Sequence, residues 1–258
     1  MKIIIVGRGR MGKMIAACAE EAGIDVAGLY GHETAASLAA AGKADALIDF
    51  SAPAALPAVA EFVRRTGTPL VSGTTGYNDA EEAELASLAV VAPVVASANY
   101  SVGVAVLKHL VAEASRCLPD FDVEIVETHH RMKKDAPSGT AKMLLSVLNP
   151  DGDRPVTEGR SGFSPRIDRE IGVHAVRGGT VAGVHTVSFF GTDEEVSLTH
   201  RAENRRIFAL GALKAAQILA TAAKGRHTFE DLLFSQSARL KTFSFLNQPS
   251  NVTRITSP

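Results

Sequence analysis

The feature that most constrains the fold is a glycine-rich turn that follows the first apolar run of the chain. The short β-branched run Lys2–Val6 leads at once into Gly7-Arg8-Gly9-Arg10-Met11-Gly12, which opens a stretch of helical composition. Glycines at this spacing allow a tight turn and let the backbone approach a pyrophosphate at a helix N-terminus, where unpaired N–H groups favour anions. The alternative is a glycine-rich turn without a ligand, but the strand–turn–helix position favours a dinucleotide site.

Short β-type runs and helical stretches alternate through the first hundred residues. The expected strands are Lys2–Val6, Val26–Tyr30, Ala46–Phe50, Pro69–Ser72 and Val94–Ala96. The expected helices are Met11–Ala22, Pro53–Arg65 and Asp79–Val90. This repeated order predicts an α/β fold with an N-terminal, Rossmann-like parallel sheet covered by helices.

The pattern changes after Ser101, where strands and helices no longer alternate regularly. We expect helices at Val102–Leu118, Ser138–Leu148 and Asn204–Ala223, strands at Phe121–Glu127, Ile171–Val176, Gly183–Phe190 and Glu195–His200, and a Gly/Pro/Arg-rich connection at Asn149–Arg169. Gly178-Gly179 and Gly191-Thr192-Asp193 suit the turns of antiparallel hairpins. The sequence thus predicts a second, α+β domain, followed by a polar, irregular tail from Ser235.

Composition excludes several classes of function. The 258 residues carry 27 Lys+Arg and 28 Asp+Glu, a formal net charge of −1, which leaves no electrostatic footprint for nucleic acid or an anionic membrane. No apolar run approaches the ~18 residues that span a bilayer, and the start is too short in apolar residues for a signal peptide, so we expect a cytoplasmic protein. Cys18 and Cys117 are too few for a disulfide framework or a cysteine zinc site.

The expected cofactor site lacks one common feature. The second strand ends in Leu29-Tyr30-Gly31-His32, so no carboxylate stands where an acid usually binds the adenosine ribose. Glu33 follows closely, whereas Arg8, Arg10 and His32 could accept a 2′-phosphate; exposed, solvated side chains are an equally ordinary interpretation. The choice between NADPH and NADH therefore stays open, and we predict that NADPH is used at least as well.

Two further loops follow predicted strands at the edge where open α/β sheets bind ligands. Asp49-Phe50-Ser51-Ala52-Pro53 follows the third strand, and Gly73-Thr74-Thr75-Gly76 follows the fourth. Each could be a plain turn, but a Thr pair between glycines brings backbone and hydroxyls close to a ligand.

The densest polar cluster runs from Glu127 to Thr140. It holds His129, His130 and three cations within six residues, and then Pro137-Ser138-Gly139-Thr140-Ala141, a helix start that suits an anion. Such a loop suits a substrate with carboxylates beside a proton donor; a merely solvated basic loop is the alternative. The paired histidines lack the H-E-x-x-H spacing, and the neighbouring cations would repel a divalent ion, so we expect no metal.

Taken together, these motifs resemble the 4-hydroxy-tetrahydrodipicolinate reductase (dihydrodipicolinate reductase) family of lysine and diaminopimelate biosynthesis. The resemblance is carried by Gly9-Arg10-Met11-Gly12, Ile48-Asp49-Phe50-Ser51, Gly73-Thr74-Thr75-Gly76, Ala98-Asn99-Tyr100-Ser101-Val102-Gly103, Glu127-Thr128-His129-His130-Arg131 with Lys133, Asp135-Ala136-Pro137-Ser138-Gly139-Thr140-Ala141, Arg177-Gly178-Gly179 and Gly183-Val184-His185-Thr186. It runs in order from about residue 2 to about residue 234, and chance matching of that ordered set is implausible.

The resemblance implies an NADPH- or NADH-dependent reductase of a small cyclic dicarboxylate. It implies a Rossmann domain at 1–100 completed by 206–258, a substrate-binding and oligomerisation domain with a mixed sheet at 101–205, and a homotetramer. It makes His129 the proton donor, Lys133 its catalytic partner and a carboxylate ligand, and His130, Ser138, Gly139 and Thr140 further substrate ligands. The candidate cofactor ligands are Gly7, Arg8, Gly9, Arg10, Met11, Gly12, His32, Phe50, Ser51, Gly73, Thr74, Thr75, Ala98, Asn99 and Tyr100.

Some features depart from the family pattern. Gly31 stands where many members carry the ribose-binding acid, Met132 replaces a commonly basic residue, and the tail beyond Phe234 has no recognised counterpart. The alternative enzyme is another two-domain Rossmann oxidoreductase acting on an amino-acid-derived substrate, which would lack the His-His-Arg loop joined to Pro-Ser-Gly-Thr. A non-catalytic dinucleotide-sensing module is the alternative outside enzymes, and it leaves the basic loop unexplained.

Overall fold

The computed structural model of the chain describes residues 1–234 and contains two β-sheets. Its strands are β1 (Lys2–Val6), β2 (Asp25–Tyr30), β3 (Ala46–Asp49), β4 (Leu70–Ser72), β5 (Pro93–Ala96), β6 (Asp122–His129), β7 (Val156–Glu158), β8 (Ile171–Arg177), β9 (Gly183–Phe190), β10 (Glu195–Ala202) and β11 (Gly225–His227). Its helices are α1 (Arg10–Glu21), α2 (Leu56–Thr66), α3 (Asp79–Ser87), α4 (Val102–Cys117), α5 (Gly139–Leu148), α6 (Arg206–Leu219) and α7 (Phe229–Phe234), with 3₁₀ helices at His32–Ala40, Pro53–Ala55 and Leu88–Val90. The tail from Ser235 lies outside the described residues.

The first sheet is parallel and covered on both faces. Its order is β11-β5-β4-β3-β1-β2, and every pair of neighbours runs in the same direction. Side chains of β1 alternate between the two faces: Ile3 and Ile5 pack in the core formed with α1 and α6, whereas Ile4 and Val6 pack with α2. Burial on both faces explains why β1 is continuously apolar.

The last described elements return to this first sheet. Helix α6 packs against α1, β3 and β4, and β11 pairs with β5 at the edge of the sheet. The sequence pattern does not predict β11 or α7, because segments of three and six residues carry too little periodicity to be recognised before the neighbouring strand is known.

The second sheet is mixed, with order β10-β9-β6-β8-β7. Strand β6 pairs parallel to β8 and antiparallel to β9, while α4 and α5 cover one face with an apolar core that includes Val123, Ile125 and Leu144. The predicted fold class, a Rossmann-like sheet followed by an α+β unit with a mixed sheet, is confirmed.

One predicted hairpin is correct and the other is wrong. Strands β9 and β10 form an antiparallel pair through the turn at Gly191-Thr192-Asp193. Strands β8 and β9 do not pair, because β6 lies between them, so Gly178-Gly179 joins strands that are not neighbours. The predicted connection 149–169 also contains β7, an edge strand of three residues that pairs with β8.

The end of β6 also differs from the predicted one. Strand β6 continues two residues past Glu127 to His129, because the ladder to β8 extends to the pair His129–Arg177. Within residues 1–234, no helix combines the length and apolar composition needed to cross a membrane.

Candidate active site

The glycine turn after β1 has the shape that a dinucleotide phosphate requires. Gly7 has φ +118°, and a Cβ there would collide with the Phe50 backbone; a Cβ on Gly12 would collide with the Gly7 carbonyl. Gly9 is the N-cap of α1, has open space where a Cβ would stand, and makes no side-chain capping bond. The first-turn N–H groups of α1 therefore lack a side-chain cap, and the open cradle fits a pyrophosphate.

A buried aspartate ties together two loops at the carboxyl edge of the first sheet. Asp49 ends β3 and is buried; Oδ1 accepts from Ser51 Oγ at 2.5 Å, and Oδ2 accepts from Thr74 Oγ1 at 2.9 Å and from Tyr77 OH at 3.3 Å. Burial raises the pKa of Asp49, and these hydrogen bonds oppose the rise. Ser51 N–H also donates to Thr74 Oγ1 at 2.9 Å, so Asp49 sets the spacing of both candidate cofactor loops.

Two aromatic rings pack between these loops and the core of the first sheet. The Phe50 ring lies against Gly73, where any side chain would collide with it, and 5.6 Å from the Tyr100 ring. Tyr100 is 1% exposed, and its hydroxyl donates to the Ser72 carbonyl at 2.7 Å. The Tyr100 side chain therefore belongs to the core beneath the loops, and its neighbour Ala98 is exposed at their surface.

The outer end of the candidate cofactor site carries positively and negatively charged side chains. Arg8 and Arg10 are exposed beside the glycine turn, and Thr75 is exposed on the loop after β4. The Glu33 carboxylate lies directly against Gly31, in the space that a side chain at position 31 would take. Met11 is half-buried against the core of the first sheet, and the side chain of His32 lies outside the described residues.

The second candidate region meets the first through one hydrogen bond. Asn99 Nδ2 donates to Thr140 Oγ1 at 3.1 Å, and Asn99 Oδ1 accepts from the Ser101 N–H at 2.8 Å. Ser138 is the N-cap of α5, with Oγ accepting from the Ala141 N–H at 3.2 Å, and Gly139 is exposed beside it. The bond from Asn99 thus brings the carboxyl edge of the first sheet into contact with the start of α5.

His129 is held by a fully buried carboxylate. Glu127, 0% exposed, lies two residues earlier on the same face of β6, and its Oε2 is 2.5 Å from His129 Nδ1. Arg177 on β8 donates to both carboxylate oxygens, at 2.9 and 2.7 Å, and the Ser138 N–H donates to Oε1 at 3.1 Å. Four hydrogen bonds thus fix the Glu127 carboxylate, and through it the plane of the His129 ring.

The charges at this cluster settle which nitrogen of His129 faces the site. Burial opposes ionisation of Glu127, but the bonds from Arg177 and His129 outweigh it and hold the pKa of Glu127 below its usual value. An ionised carboxylate only accepts hydrogen bonds, so His129 Nδ1 carries a proton and Nε2 is left for chemistry. Burial lowers the pKa of His129, Glu127 opposes this, and Lys133 and Arg177 add to the lowering.

The remaining predicted substrate ligands lie on the loop that follows β6. Lys133 Nζ pairs with both carboxylate oxygens of Asp135, at 2.8 and 2.9 Å, rather than with His129. His130, half-buried, lines an open cleft together with Arg131, Met132, Gly179 and Thr180. The guanidinium of Arg131 lies on its wall, and none of these lining residues carries a carboxylate.

Four residues of the site had no predicted role: Asp49, Glu127, Arg177 and His185. Glu127 could have been found, because residues i and i+2 of a strand share a face, but the predicted strand ended there. Among residues 1–234, no three His, Cys, Asp or Glu side chains converge to hold a metal ion.

Comparisons with known proteins identify the family. The sequence profile described as dihydrodipicolinate reductase, N-terminus, matches residues 1–100, and the profile described as dihydrodipicolinate reductase, C-terminus, matches residues 103–233. A 4-hydroxy-tetrahydrodipicolinate reductase of Natronomonas pharaonis is 40% identical over 244 residues, covering 90% of this chain and 99% of the relative. One of Methanocorpusculum labreanum is 41% identical over 249 residues, with coverage of 90% and 99%.

Solved structures agree on the fold. A dipicolinate-bound dihydrodipicolinate reductase from Paenisporosarcina sp. TG-14 matches with a TM-score of 0.72 and 21% identity, over 90% of this chain and 98% of that one. The diaminopimelate dehydrogenase of C. glutamicum matches with a TM-score of 0.54 and 13% identity, over 93% and 98% of the two chains, which shows the fold alone. The predicted resemblance and the predicted enzyme class, an NAD(P)H-dependent oxidoreductase, are confirmed by the sequence matches. The chain belongs to the dihydrodipicolinate reductase family.

Proposed function

We propose that this chain reduces 4-hydroxy-tetrahydrodipicolinate to tetrahydrodipicolinate with NADPH or NADH. The substrate gains a hydride and a proton and loses its hydroxyl as water. The observation that carries the proposal is a buried His129, fixed by Glu127 at Nδ1, in a site that joins the glycine turn to the start of α5. The reaction requires a bound hydride donor, a proton donor and groups that bind the substrate carboxylates, and the site offers residues suited to each of these roles.

Cofactor binding is assigned to residues 1–100 completed by 206–258, with 101–205 holding the substrate. The open cradle at Gly9 and the loops fixed by Asp49 support this division, as does the pairing of β11 with β5. When bound, NADPH or NADH supplies the hydride. The protein itself holds the phosphates of the cofactor at the start of α1 and the nicotinamide ring near Phe50, Gly73 and Asn99.

The substrate carboxylates are assigned to the start of α5 and the loop before it. Ser138 and Thr140 offer hydroxyls, and the first-turn N–H groups of α5 carry the positive end of the helix dipole. Lys133 adds a positive charge from the loop after β6, and His130 adds a ring nitrogen that can donate a hydrogen bond. Lys133 pairs with the exposed Asp135 carboxylate, so a substrate carboxylate competes with Asp135 for its ammonium group.

His129 is assigned as the proton donor. Hydride addition to a conjugated imine-type ring leaves negative charge at its far end, where a proton must arrive. Nδ1–H is committed to Glu127, so Nε2 gives the proton, and the Glu127 carboxylate stabilises the imidazolium before transfer. Lys133 stabilises the developing charge on the ring and holds a carboxylate.

A coupled assay tests the proposal. Substrate is generated enzymatically, and the loss of NADPH absorbance and then of NADH absorbance is followed. Turnover with either cofactor supports the proposal, with His129→Gln as the matched inactive control. Cofactor binding without turnover would favour the dinucleotide-sensing module, and turnover only of amino-acid-derived substrates would favour the alternative oxidoreductase.

Assembly and location extend the proposal. We expect a homotetramer in the cytoplasm, and the second sheet supports assembly because its outer face exposes Val126 and Val176, at 38% and 46%, to contact with other copies. Sedimentation of the purified chain tests the tetramer, and a monomer at micromolar concentration would contradict it.

A further inference from the structure

His185 on β9 is a buried histidine beside the predicted proton donor. It is 4% exposed, its Nε2 lies 2.9 Å from Ser138 Oγ, and its ring meets the His129 ring edge-on at 5.1 Å between centroids. Within residues 1–234 its Nδ1 is buried and has no hydrogen-bond partner. A buried imidazole with one unsatisfied nitrogen needs a reason, because such a group destabilises the fold.

The hydrogen-bond capacity of Ser138 decides what each protonation site of His185 would mean for a ligand. Its hydroxyl has one proton and two lone pairs, and one lone pair accepts the Ala141 N–H that caps α5. If Ser138 donates to His185, no proton is left for a ligand at the start of α5. If His185 carries its proton at Nε2 and donates to Ser138, the hydroxyl proton is free to point at a bound anion.

The charges around His185 are compatible with a neutral ring that has one proton to give. It faces His129 and Glu127 from β6, Lys133 from the loop after β6, and His200 from β10. Burial, reinforced by His129, lowers the pKa of His185 to about 4, so the ring is neutral near pH 7. A neutral imidazole has one donor and one acceptor, and the unpartnered Nδ1 is then the acceptor.

We propose that His185 is a positioning residue for the substrate: its Nε2–H donates to Ser138 Oγ and thereby directs the Ser138 hydroxyl proton to a substrate carboxylate at the start of α5. The inference rests on the proposed function, because the carboxylate at Ser138 is part of that function. His185 itself does not touch the reacting atoms. Its effect passes through Ser138.

A double-mutant cycle tests the pathway through Ser138. Dissociation constants for pyridine-2,6-dicarboxylate are measured calorimetrically with saturating NADPH for the unsubstituted protein, His185→Leu, Ser138→Ala and the double variant. We expect His185→Leu to weaken binding about tenfold, the equivalent of one hydrogen bond, and to change it less than about twofold in the Ser138→Ala background. His185→Gln, whose amide can donate from a similar position, should restore most of the affinity.

A matched control is available on the neighbouring strand. His200 on β10 places Nε2 3.5 Å from Oγ of Ser101, the N-cap of α4, so it has the same relation to a different helix start. His200→Leu should leave the dissociation constant of the dicarboxylate unchanged. NADPH affinity, measured for every variant, reports whether the fold of the first sheet is intact.

Three results would overturn the inference. An unchanged dissociation constant in His185→Leu contradicts the role of His185 and leaves the proposed function intact. If His185→Leu weakens dicarboxylate binding equally with Ser138 and with Ser138→Ala, His185 only packs against the site. Failure of the unsubstituted protein to bind the dicarboxylate contradicts the proposed substrate class and overturns both.

Discussion

Asn99 donates its side-chain N–H to Thr140 Oγ1 at 3.1 Å, across 41 residues of sequence. Asn99 belongs to the loop that leaves the cofactor edge of the first sheet, and Thr140 belongs to the first turn of α5. Because Thr140 Oγ1 accepts this bond, its own hydroxyl proton is free to be donated to a ligand. The same bond therefore joins the loop at Asn99 to the start of α5 and orients the hydroxyl that is proposed to bind a substrate carboxylate.

Thr140→Val should weaken the binding of pyridine-2,6-dicarboxylate by roughly 1–3 kcal/mol, the cost of a lost hydrogen bond to a charged group. Valine keeps the shape of threonine, so NADPH affinity should not change. Competitive inhibition constants measure the effect. If inhibition is unchanged in this variant, the carboxylate lies elsewhere.

Turnover should be lost above a certain pH, where the proton donor is no longer protonated. Glu127→Gln should shift this loss to lower pH. The Glu127 carboxylate opposes the burial that lowers the pKa of His129, so its neutralisation lowers that pKa further. Each unit by which a donor's pKa falls removes about tenfold of its protonated form at a higher pH. The pH profile of kcat/KM measures this shift, and a profile that keeps its midpoint would contradict the assignment of Glu127.

A second buried glutamate controls for the loss of a buried charge. Glu170 is 2% exposed and is bonded to Arg160, as Glu127 is to Arg177, but it precedes β8 at the far end of the second sheet. Glu170→Gln should reduce the free energy of unfolding without moving the pH profile. A combined Glu127→Gln and Arg177→Met variant removes the unpaired arginine and should show a smaller shift in the same direction, because Arg177 itself lowers the pKa of His129.

His129→Gln should lower turnover by roughly 10²–10⁴-fold with cofactor affinity unchanged, the usual share of acid–base catalysis. Lys133→Met should lower turnover and weaken substrate binding together, because Lys133 is assigned both roles. Steady-state kinetics separate the two variants. A folded His129→Gln protein with near-normal turnover would show that the proton comes from another group or from water.

The fold was predictable where local patterns decide it. The alternating strands and helices before Ser101 are confirmed as a parallel sheet, because continuous apolar strands such as β1 must be buried on both faces. The hairpin predicted at Gly178-Gly179 was wrong, because the residues of a turn do not determine which strands become neighbours in the sheet. That choice depends on β6, some 50 residues earlier, which inserts between β8 and β9.

The site was predictable as a set of motifs and less so as a network. His129 and Ser138 stand in one continuous polar segment, so the sequence alone indicated them. Arg177 and His185 reach Glu127 and Ser138 from β8 and β9, and only the ladder register places them there. Their role depends on pairing across strands, which no local pattern encodes.

The free energy of unfolding should fall as the pH drops from about 6.5 toward 4. His185 has its pKa lowered to about 4 from 6.5, so between these values the unfolded chain binds a proton that the folded one does not. Stability therefore rises with pH through this window, by up to about 3 kcal/mol from this one group. The free energy of unfolding is measured by denaturation at several pH values for the unsubstituted protein and for His185→Leu. The difference between the two proteins should grow as the pH rises from 4 to 6.5. A difference that does not change with pH would contradict this prediction.

We expect cofactor preference to depend on the opposed charges of the residues that follow β1 and β2. Arg8 and Arg10 are exposed beside the glycine turn and can make charge-assisted bonds to a 2′-phosphate, whereas the Glu33 carboxylate beside Gly31 would repel it. Two cations against one carboxylate lead us to expect that NADPH is used at least as well as NADH. Glu33→Gln should then lower the KM for NADPH relative to that for NADH, and Arg10→Gln should raise it, with about a tenfold change for each charged contact. Lys13→Gln, three residues after Arg10 on the same helix, is the matched control and should leave the ratio unchanged. A KM for NADH far below that for NADPH at equal turnover would contradict this prediction. Glu33 would then be assigned as the residue that binds the ribose.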